Sequence, residues 1–351
     1  MFSMLVVHNL ISNEKKDLLV SKPVYFWIVF VFYVLISGIF IANDKIQLIN
    51  AVLLFVQTLA MIVFILEVSR NEKNNDFFLK TYALLSVTYM ATLILWGENY
   101  GGIITLSSKT NPNADGMIMF YGIFCFLFLL DSKKIFKSII FVTAICLLTY
   151  AIILTGSRKS FMAAILLIVL WLIFVSRYYW YYLSLRKKVF ISTIGIICSG
   201  FFIVKTMNYF ETTTLYLRFT EGYRSGGDEV RIELYKKGFD YFSQNPFFGI
   251  GFNQFQTLTG MSSHSTYAEI FSTTGIIGAF LYFIPFLLII QNLFRIYINE
   301  RKTKMGGQSL LYLILVIAML SLGAGVILFN EIPASIMLAL VISFYLNKKK
   351  L

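Results

Sequence analysis

Long uninterrupted runs of apolar residues constrain this chain more than any other feature of its sequence. A run of about 20 such residues can cross the hydrocarbon core of a bilayer as a helix. Composition agrees, because 58% of the 351 residues are hydrophobic and only 14% are charged, whereas soluble domains carry about 25% charged residues. A soluble globular fold is excluded, and a polytopic membrane protein follows.

Ten apolar segments, separated by polar or helix-breaking residues, predict about ten transmembrane helices. The fourth and the tenth are short, so they either extend into flanking polar residues or are broken helices. We therefore expect an all-α polytopic membrane protein with one integral domain over residues 1–351 and a helical extracytoplasmic subdomain inserted at 207–265, between spans seven and eight. The predicted spans are 24–42, 46–66, 78–96, 117–130, 136–154, 160–176, 189–206, 266–293, 308–329 and 333–346.

The distribution of lysine and arginine predicts how these spans are oriented. Short cytoplasmic loops of membrane proteins are enriched in both residues, and an even number of spans places both termini on one side. With the termini inside, the predicted inner segments hold most of the basic residues of a chain whose net charge is +12. We therefore expect cytoplasmic termini in the plasma membrane, and we attribute the positive charge to topology, with no nucleic acid as a partner.

One short outer loop departs from this charge pattern. Arg158 and Lys159 follow a tight Thr-Gly-Ser turn in a hairpin that the topology rule would leave uncharged. Arg218 and Arg231 lie in the long outer loop. Each arginine alone can be structural, with its head at the lipid phosphates or on a solvated basic face. Together they indicate an anion site, because guanidinium groups bind phosphate oxygens in a bidentate manner.

The long outer loop contains a predicted amphipathic helix followed by a sharp turn. In residues 229–244, Ile232, Tyr235, Phe239 and Phe242 recur at helical spacing, with charged residues between them. We expect this helix to lie along the membrane surface with its aromatic side down. The sequence NPFFGIG at 245–251 then predicts a turn, because proline ends a helix and glycine tolerates positive φ.

His264 is the one histidine on the predicted outer side, because His8 lies in the predicted cytoplasmic tail. Its imidazole has an ordinary pKa that suits proton transfer near neutral pH. A structural interpretation is also open. In that case Ser263 or Ser265 caps the eighth span, Glu269 lies in its first turn, and His264 is incidental.

The sequence lacks the motifs of several other classes of protein. It contains no dinucleotide-binding glycine motif, no Walker motif, no HExxH and no GxSxG. Its three cysteines lie in apolar runs without the spacing of a zinc site. We therefore expect neither a metal nor a cofactor. Few ionisable residues fall inside the predicted spans, which makes a proton-coupled transporter less favoured.

The order of these motifs resembles the O-antigen ligase/polymerase superfamily, which includes capsule and O-antigen repeat-unit polymerases, lipid A-core ligases and teichuronic-type ligases. The resemblance is best over residues 150–292, with the Asn-Pro-Asn at 111–113 as a further match. Many relatives have His-Asn where this chain has His264-Ser265, so no role for an amide is carried over. The motifs are Gly-Ser-Arg at 156–158, RIELYKKGFDYF from Arg231, NPFFGIGFNQF at 245–255 and HSTYAEIFSTTGIIGAF from His264.

The resemblance implies a GT-C-like membrane glycosyltransferase that takes its donor glycan from undecaprenyl pyrophosphate. Arg158 and Arg231, with Arg218 as a further contact, would bind the pyrophosphate leaving group. His264 would activate the acceptor hydroxyl for an inverting, metal-independent displacement outside the membrane. The implied partners are the lipid-linked donor and acceptor, membrane lipids, and flippase and chain-length regulator proteins.

Three functions fit these expectations. A polymerase would move the growing glycan onto the next lipid-linked repeat unit and so build capsular, O-antigen or exopolysaccharide. A ligase would transfer the finished glycan to another acceptor. A glycan-lipid flippase or other polytopic transporter belongs to a different class and would need no catalytic histidine. We favour the polymerase, because the resemblance includes no feature for a second large acceptor.

Overall fold

The computed structural model describes residues 21–69, 72–100, 102–106, 112–130, 135–175, 213–220 and 227–348. These residues are mostly helical. The first helices are α1 (Lys22–Ile41), α2 (Lys45–Val68), α3 (Glu72–Trp96), α4 (Pro112–Leu129), α5 (Ile135–Leu154) and α6 (Arg158–Leu170), the last continuing as a π-helix at Trp171–Val175. Between α3 and α4, a hairpin that the sequence analysis did not predict pairs β1 (Glu98–Tyr100) antiparallel with β2 (Ile103–Thr105).

The second half of the described chain contains six further helices. They are α7 (Thr214–Thr220), α8 (Gly227–Gln244), α9 (Phe255–Thr259), α10 (Thr266–Asn299), α11 (Lys304–Gly323) and α12 (Ile332–Lys348), and a short 3-10 helix at Leu328–Asn330 precedes α12.

Eight of the described helices are long and apolar enough to cross a membrane, namely α1 to α6, α10 and α11. Each coincides with a predicted span. Helix α12 coincides with the predicted span at 333–346 but is shorter, and the predicted span at 189–206 lies outside the described residues. The all-α polytopic membrane fold is therefore confirmed.

Helix α4 begins earlier than its hydropathy predicts, at Pro112 rather than near Met117. Proline suits the start of a helix, because the N–H that it lacks would have no intrahelical partner there. The earlier start brings Asp115 into the span, where it is only 2% exposed. Glu269 in α10 is equally buried. Hydropathy placed Glu269 inside the predicted eighth span, whereas it placed Asp115 outside the fourth.

The described residues fall into two compact units. The first unit is drawn from Met1–Asn75, Leu234–Asn292 and Ile327–Leu351, and in it α2 packs against α1 and α12. Its core contains a cluster of aromatic rings: Phe30, Phe55, Phe252, Tyr282 and Phe329. The second unit is drawn from Asp76–Glu233 and Leu293–Val326, and in it α4 packs against α5, α6 and α11.

Helix α10 is broken at Gly275, whose φ of 64° and ψ of −167° are not helical. This backbone conformation is essentially limited to glycine. The break divides the helix into α10a (266–274) and α10b (276–299). At 1.5 Å per residue α10b alone is about 36 Å long, which exceeds the roughly 30 Å hydrocarbon core of a bilayer. The nine residues of α10a are therefore not needed to cross the membrane.

Candidate functional site

The turn that follows α8 fills the break in α10. The amides of Ile250 and Gly251 donate to the last carbonyl groups of α10a, at 3.0 Å each. In return, the first two amides of α10b donate to carbonyl groups of the turn, at 2.8 and 3.4 Å. The Tyr33 hydroxyl donates to the Thr274 carbonyl at 2.8 Å. The turn and the break thus satisfy backbone groups that would otherwise be costly to leave unpaired in a membrane.

Glycines make this close contact between two backbones possible. A Cβ added to Gly275 would overlap the Phe247 carbonyl group, and a Cβ added to Gly249 would overlap the backbone at Thr273. The predicted sharp turn at 245–251 is confirmed, since Gly249 and Gly251 have φ values of 70° and 100°. Its role was not predicted: the turn is the partner of a broken membrane helix.

His264 immediately precedes the cap of α10a, and its side chain is exposed. Its φ of 52° lies in the left-handed region, which costs a residue with a Cβ about 1–2 kcal/mol. The flanking Ser263 and Ser265 are both buried. The Ser262 hydroxyl lies 3.4 Å from Nδ1 and 3.5 Å from Nε2 of the imidazole. The loop therefore holds two serines inside the protein and presents the imidazole at its surface.

Ser265 is the N-cap of α10a. Its hydroxyl accepts the Ala268 N–H at 3.4 Å, and its carbonyl accepts the Glu269 N–H at 2.9 Å. The Thr266 hydroxyl accepts the Leu328 N–H at 2.9 Å. Two parts of the structural interpretation are thus correct, namely a serine cap and an acidic first turn. Capping does not account for the left-handed backbone of the exposed His264, so the cap leaves the proposed role of this residue open.

In the second unit, Arg158 is the first residue of α6 and is half-buried. The preceding Ser157 caps the helix by accepting the Ser160 N–H, and its hydroxyl donates to Oδ1 of Asn113 at 3.0 Å. A Cβ added to Gly116 would lie only 2.8 Å from the Ser160 side chain. The first turns of α4 and α6 are therefore bound to each other, with Arg158 at this end of the unit.

Lys159, the neighbour of Arg158, has a structural explanation. Its Nζ donates to the Gly325 carbonyl at 2.8 Å, just beyond the C-terminus of α11, where free carbonyl groups favour a cation. A Cβ on Gly325 would overlap this lysine side chain. Helix capping thus accounts for the charge at position 159, and Arg158 stays the candidate of the pair.

A buried acid lies two residues after Asn113, and the sequence analysis missed it. Oδ1 of Asp115 accepts the Tyr89 hydroxyl proton at 2.5 Å. Its Oδ2 is buried and has no hydrogen-bond partner within the part of the chain that the structure describes. The available signal was its place beside Asn-Pro-Asn, but hydropathy assigned that stretch to a loop.

Arg231 is half-buried near the start of α8, and this predicted helix is confirmed at Gly227–Gln244. The face that packs against protein differs from the predicted aromatic face. Leu234 and Gly238 are buried, whereas Ile232 is exposed and Phe239 is 69% exposed. Helical spacing places Arg231 on the same face as Leu234 and Gly238. Contact of the exposed Ile232 and Phe239 with lipid stays a prediction.

The four predicted site residues divide between the two units. His264 lies in the first unit, and the three arginines lie in the second. Arg218 lies in α7, and its side chain is outside the described part of the structure. The structure brings Glu269 to Ser263, the residue before His264, and it places Arg158 at the joined first turns of α4 and α6.

The fold and these residues define a polytopic membrane protein that carries a histidine in the loop before α10 and three arginines in α6, α7 and α8. Residues 139–283 match the family described as O-antigen ligase, which confirms the resemblance found in the sequence. All four predicted site residues lie in the matched segment. No curated protein matches the chain significantly. The match indicates a glycosyl-transferring enzyme with a role in membrane glycan processing, and it gives no support to a flippase.

Proposed function

We propose that the protein polymerises undecaprenyl-pyrophosphate-linked repeat units into capsular, O-antigen or exopolysaccharide at the outer face of the plasma membrane. The observation that carries this proposal is the exposed, left-handed His264 within a segment that matches the O-antigen ligase family. Both termini are then cytoplasmic, and flippase and chain-length regulator proteins are the proposed partners.

The proposed reaction is a single displacement at the anomeric carbon of the donor glycan. His264 accepts the proton of the acceptor hydroxyl as the acceptor oxygen forms its bond to that carbon. The bond from the same carbon to the pyrophosphate oxygen breaks, and the leaving lipid pyrophosphate takes the electron pair. The configuration inverts. The donor itself supplies the driving force, so the step requires no nucleotide. The proposed arginines supply the positive charge at the leaving pyrophosphate, so the step requires no metal.

Electrostatics at the start of α6 support a pyrophosphate site there. The N-terminus of a helix carries a positive partial charge, which disfavours a cation and attracts an anion. Arg158 lies in this first turn, which contains no acidic residue. A bound phosphate group could therefore interact with both the helix N-terminus and a guanidinium group. Arg231 and Arg218 are the proposed further contacts to the developing negative charge.

The exposed face of helix α8 supports the proposal that the substrate reaches the site from within the membrane. Its exposed apolar face, which includes Ile232 and Phe239, suits contact with lipid at the bilayer interface. The C-terminal part of the helix is fixed to protein: Phe242 packs edge-on against Phe271 in α10a, and Tyr241 packs edge-on against Phe255 in α9. Arg231 would then be held at the level of the lipid headgroups, where a lipid pyrophosphate lies.

The experiment that tests this proposal is an assay of purified protein in detergent with a lipid-pyrophosphate-linked repeat unit, resolved by glycan length on a gel. Wild type is expected to produce a ladder of products, and His264→Ala is expected to produce none while it still inserts into membranes. A ladder from His264→Ala would contradict the role of the imidazole. If no tested donor gives a ladder or releases lipid pyrophosphate, the proposed function fails.

A ligase is the second candidate, because the matched family is described as O-antigen ligase. It uses the same donor chemistry and differs in the acceptor. The same gel separates the two: a single transfer to a non-repeat acceptor, with no ladder, indicates a ligase.

A further inference from the structure

The buried carboxyl group of Glu269 has no role in the chemistry proposed above. It lies in the first turn of α10a, five residues after His264, and is 2% exposed. The backbone amide and the hydroxyl of Ser263 both hydrogen-bond to this carboxyl group. Its Oε2 is buried with no partner among the described residues. Burial of such a group is costly, so its position calls for an explanation.

The backbone on the C-terminal side of His264 is fixed twice. Ser265 is held by the cap hydrogen bonds of α10a, and Thr266 is held by its hydrogen bond with the Leu328 amide at 2.9 Å. A left-handed residue persists only where its neighbours determine its conformation. The N-terminal side of His264 therefore needs an anchor too.

Ser263 provides that anchor, and Glu269 is what holds it. The Ser263 side chain is fully buried, and its hydroxyl also lies 3.0 Å from the Ser265 carbonyl oxygen. Its amide can form no helical hydrogen bond, because it precedes the helix, and the carboxyl group accepts it instead. His264 is thus the exposed residue between two buried anchors.

We propose that Glu269 is a positioning residue, which fixes the His264 imidazole by holding Ser263. The inference rests on the proposed function, in which His264 accepts the proton of the acceptor hydroxyl. A carboxyl group has two oxygens that can accept hydrogen bonds, whereas the amide of glutamine has one, so glutamine holds the loop less firmly than glutamate. A displacement of about 1 Å in a reacting group can cost about a hundredfold in rate. Loosening of this loop therefore lowers turnover. It does not change the affinity for the donor, because other residues bind the donor.

The kinetic test compares Glu269→Gln and Glu269→Ala with Thr273→Ala as a matched control. Thr273 is also buried in α10a, and its hydroxyl donates to the Glu269 backbone carbonyl at 2.6 Å rather than to the His264 loop. We expect kcat to fall about tenfold in the glutamine variant and about a hundredfold in the alanine variant. The KM for the donor should stay within about twofold of wild type, and the control should keep its kcat. Wild-type kcat in Glu269→Gln, or an equal loss in Thr273→Ala, overturns the inference.

A second measurement needs no substrate. Hydrogen–deuterium exchange followed by mass spectrometry reports protection of the amides at 262–266 in the full-length protein. Exchange in this stretch should rise in Glu269→Ala and stay at the wild-type level in Thr273→Ala. Unchanged exchange in Glu269→Ala overturns the inference even if no donor is turned over.

The two proposals fail in different ways. If wild type makes no product, the proposed function fails, and hydrogen exchange still decides whether Glu269 anchors the loop. If wild type is active, His264→Ala is inactive and Glu269→Gln matches wild type, the positioning role alone is refuted.

Discussion

Substitution of Gly275 by alanine tests the contact on which the shape of α10 depends. The wild-type φ and ψ at this position are a conformation that residues with a Cβ avoid. The new methyl group would also overlap the Phe247 carbonyl group, so the turn must move away from α10b. That movement breaks the two hydrogen bonds from the first amides of α10b, which measure 2.8 and 3.4 Å.

The expected cost combines these two effects. Backbone strain contributes about 1–3 kcal/mol, and two lost hydrogen bonds contribute about 0.5–1.5 kcal/mol each. The total of about 2–6 kcal/mol should lower the apparent melting temperature in detergent by about 10 °C. Intrinsic tryptophan fluorescence during a thermal ramp measures this change.

Gly260→Ala is the matched control for this experiment. Gly260 also has a positive φ, 76°, but a Cβ there would meet no atom within 4 Å. The control therefore carries backbone strain of about 1 kcal/mol without a steric clash. If Gly275→Ala melts at the same temperature as Gly260→Ala, the docked turn does not hold the break, and the reasoning is refuted.

Three further predictions concern residues that fix loops in place. Gln254→Ala should lower the apparent melting temperature, because the buried side-chain amide accepts the Asp44 N–H at 2.7 Å and donates to the Asp44 carbonyl at 3.0 Å. Gln254→Glu should not restore the wild-type melting temperature, since a carboxylate cannot donate. Lys159→Met should lower thermal stability while turnover per folded molecule is retained. Arg158→Lys should lower turnover while stability is retained, because the point charge of lysine does not replace a bidentate guanidinium group. The opposite pattern would exchange the roles of the two residues. Burial raises the pKa of Glu331 above its ordinary 4.5. The stability that Glu331 contributes is therefore fully present below pH 4.5 and is lost as the pH rises through the folded-state pKa. Melting curves of Glu331→Gln should therefore match wild type in acid and exceed it in alkaline buffer, and a constant difference at all pH values would contradict this.

Hydropathy predicted the membrane fold well, because span length and apolar composition are local properties of the sequence. Hydropathy did not predict the burial of Asp115. A charged residue near the end of an apolar run is assigned to a loop, because its burial depends on another helix that a sequence window does not include. Hydropathy also did not predict the break at Gly275, because this residue lies inside an apolar run. A glycine there differs from any other apolar residue only in its backbone conformation, which a second chain segment must stabilise.

The amphipathic helix α8 shows the same limit at the level of a single face. Its period predicted a helix correctly, and its aromatic residues predicted the side that faces lipid. The side that packs on protein was not predicted: it carries Gly238, where a Cβ would lie 3.4 Å from the Ala268 side chain and 3.6 Å from that of Phe255. Periodicity identifies the stripes of a helix, but the partner decides which stripe is covered. Arg231 lies on the same stripe and is half-buried.

The broken helix gives His264 a fixed platform that an unbroken span would not. If α10 continued straight through Gly275, the N-terminus of the helix and the loop before it would be placed by the tilt of one long span in the bilayer. The break uncouples α10a from that span. Its C-terminal end is then held by the 245–251 turn and Tyr33, and its N-terminal end by the Ser265 cap and the 3-10 helix at Leu328. Nine helical residues held at both ends keep the His264 loop at a constant place in the first unit, and short rigid elements position reacting groups more closely than long loops do. The NPFFGIG turn therefore helps to position His264. A substitution that moves this turn away from α10 should lower turnover even where insertion into the membrane is unchanged.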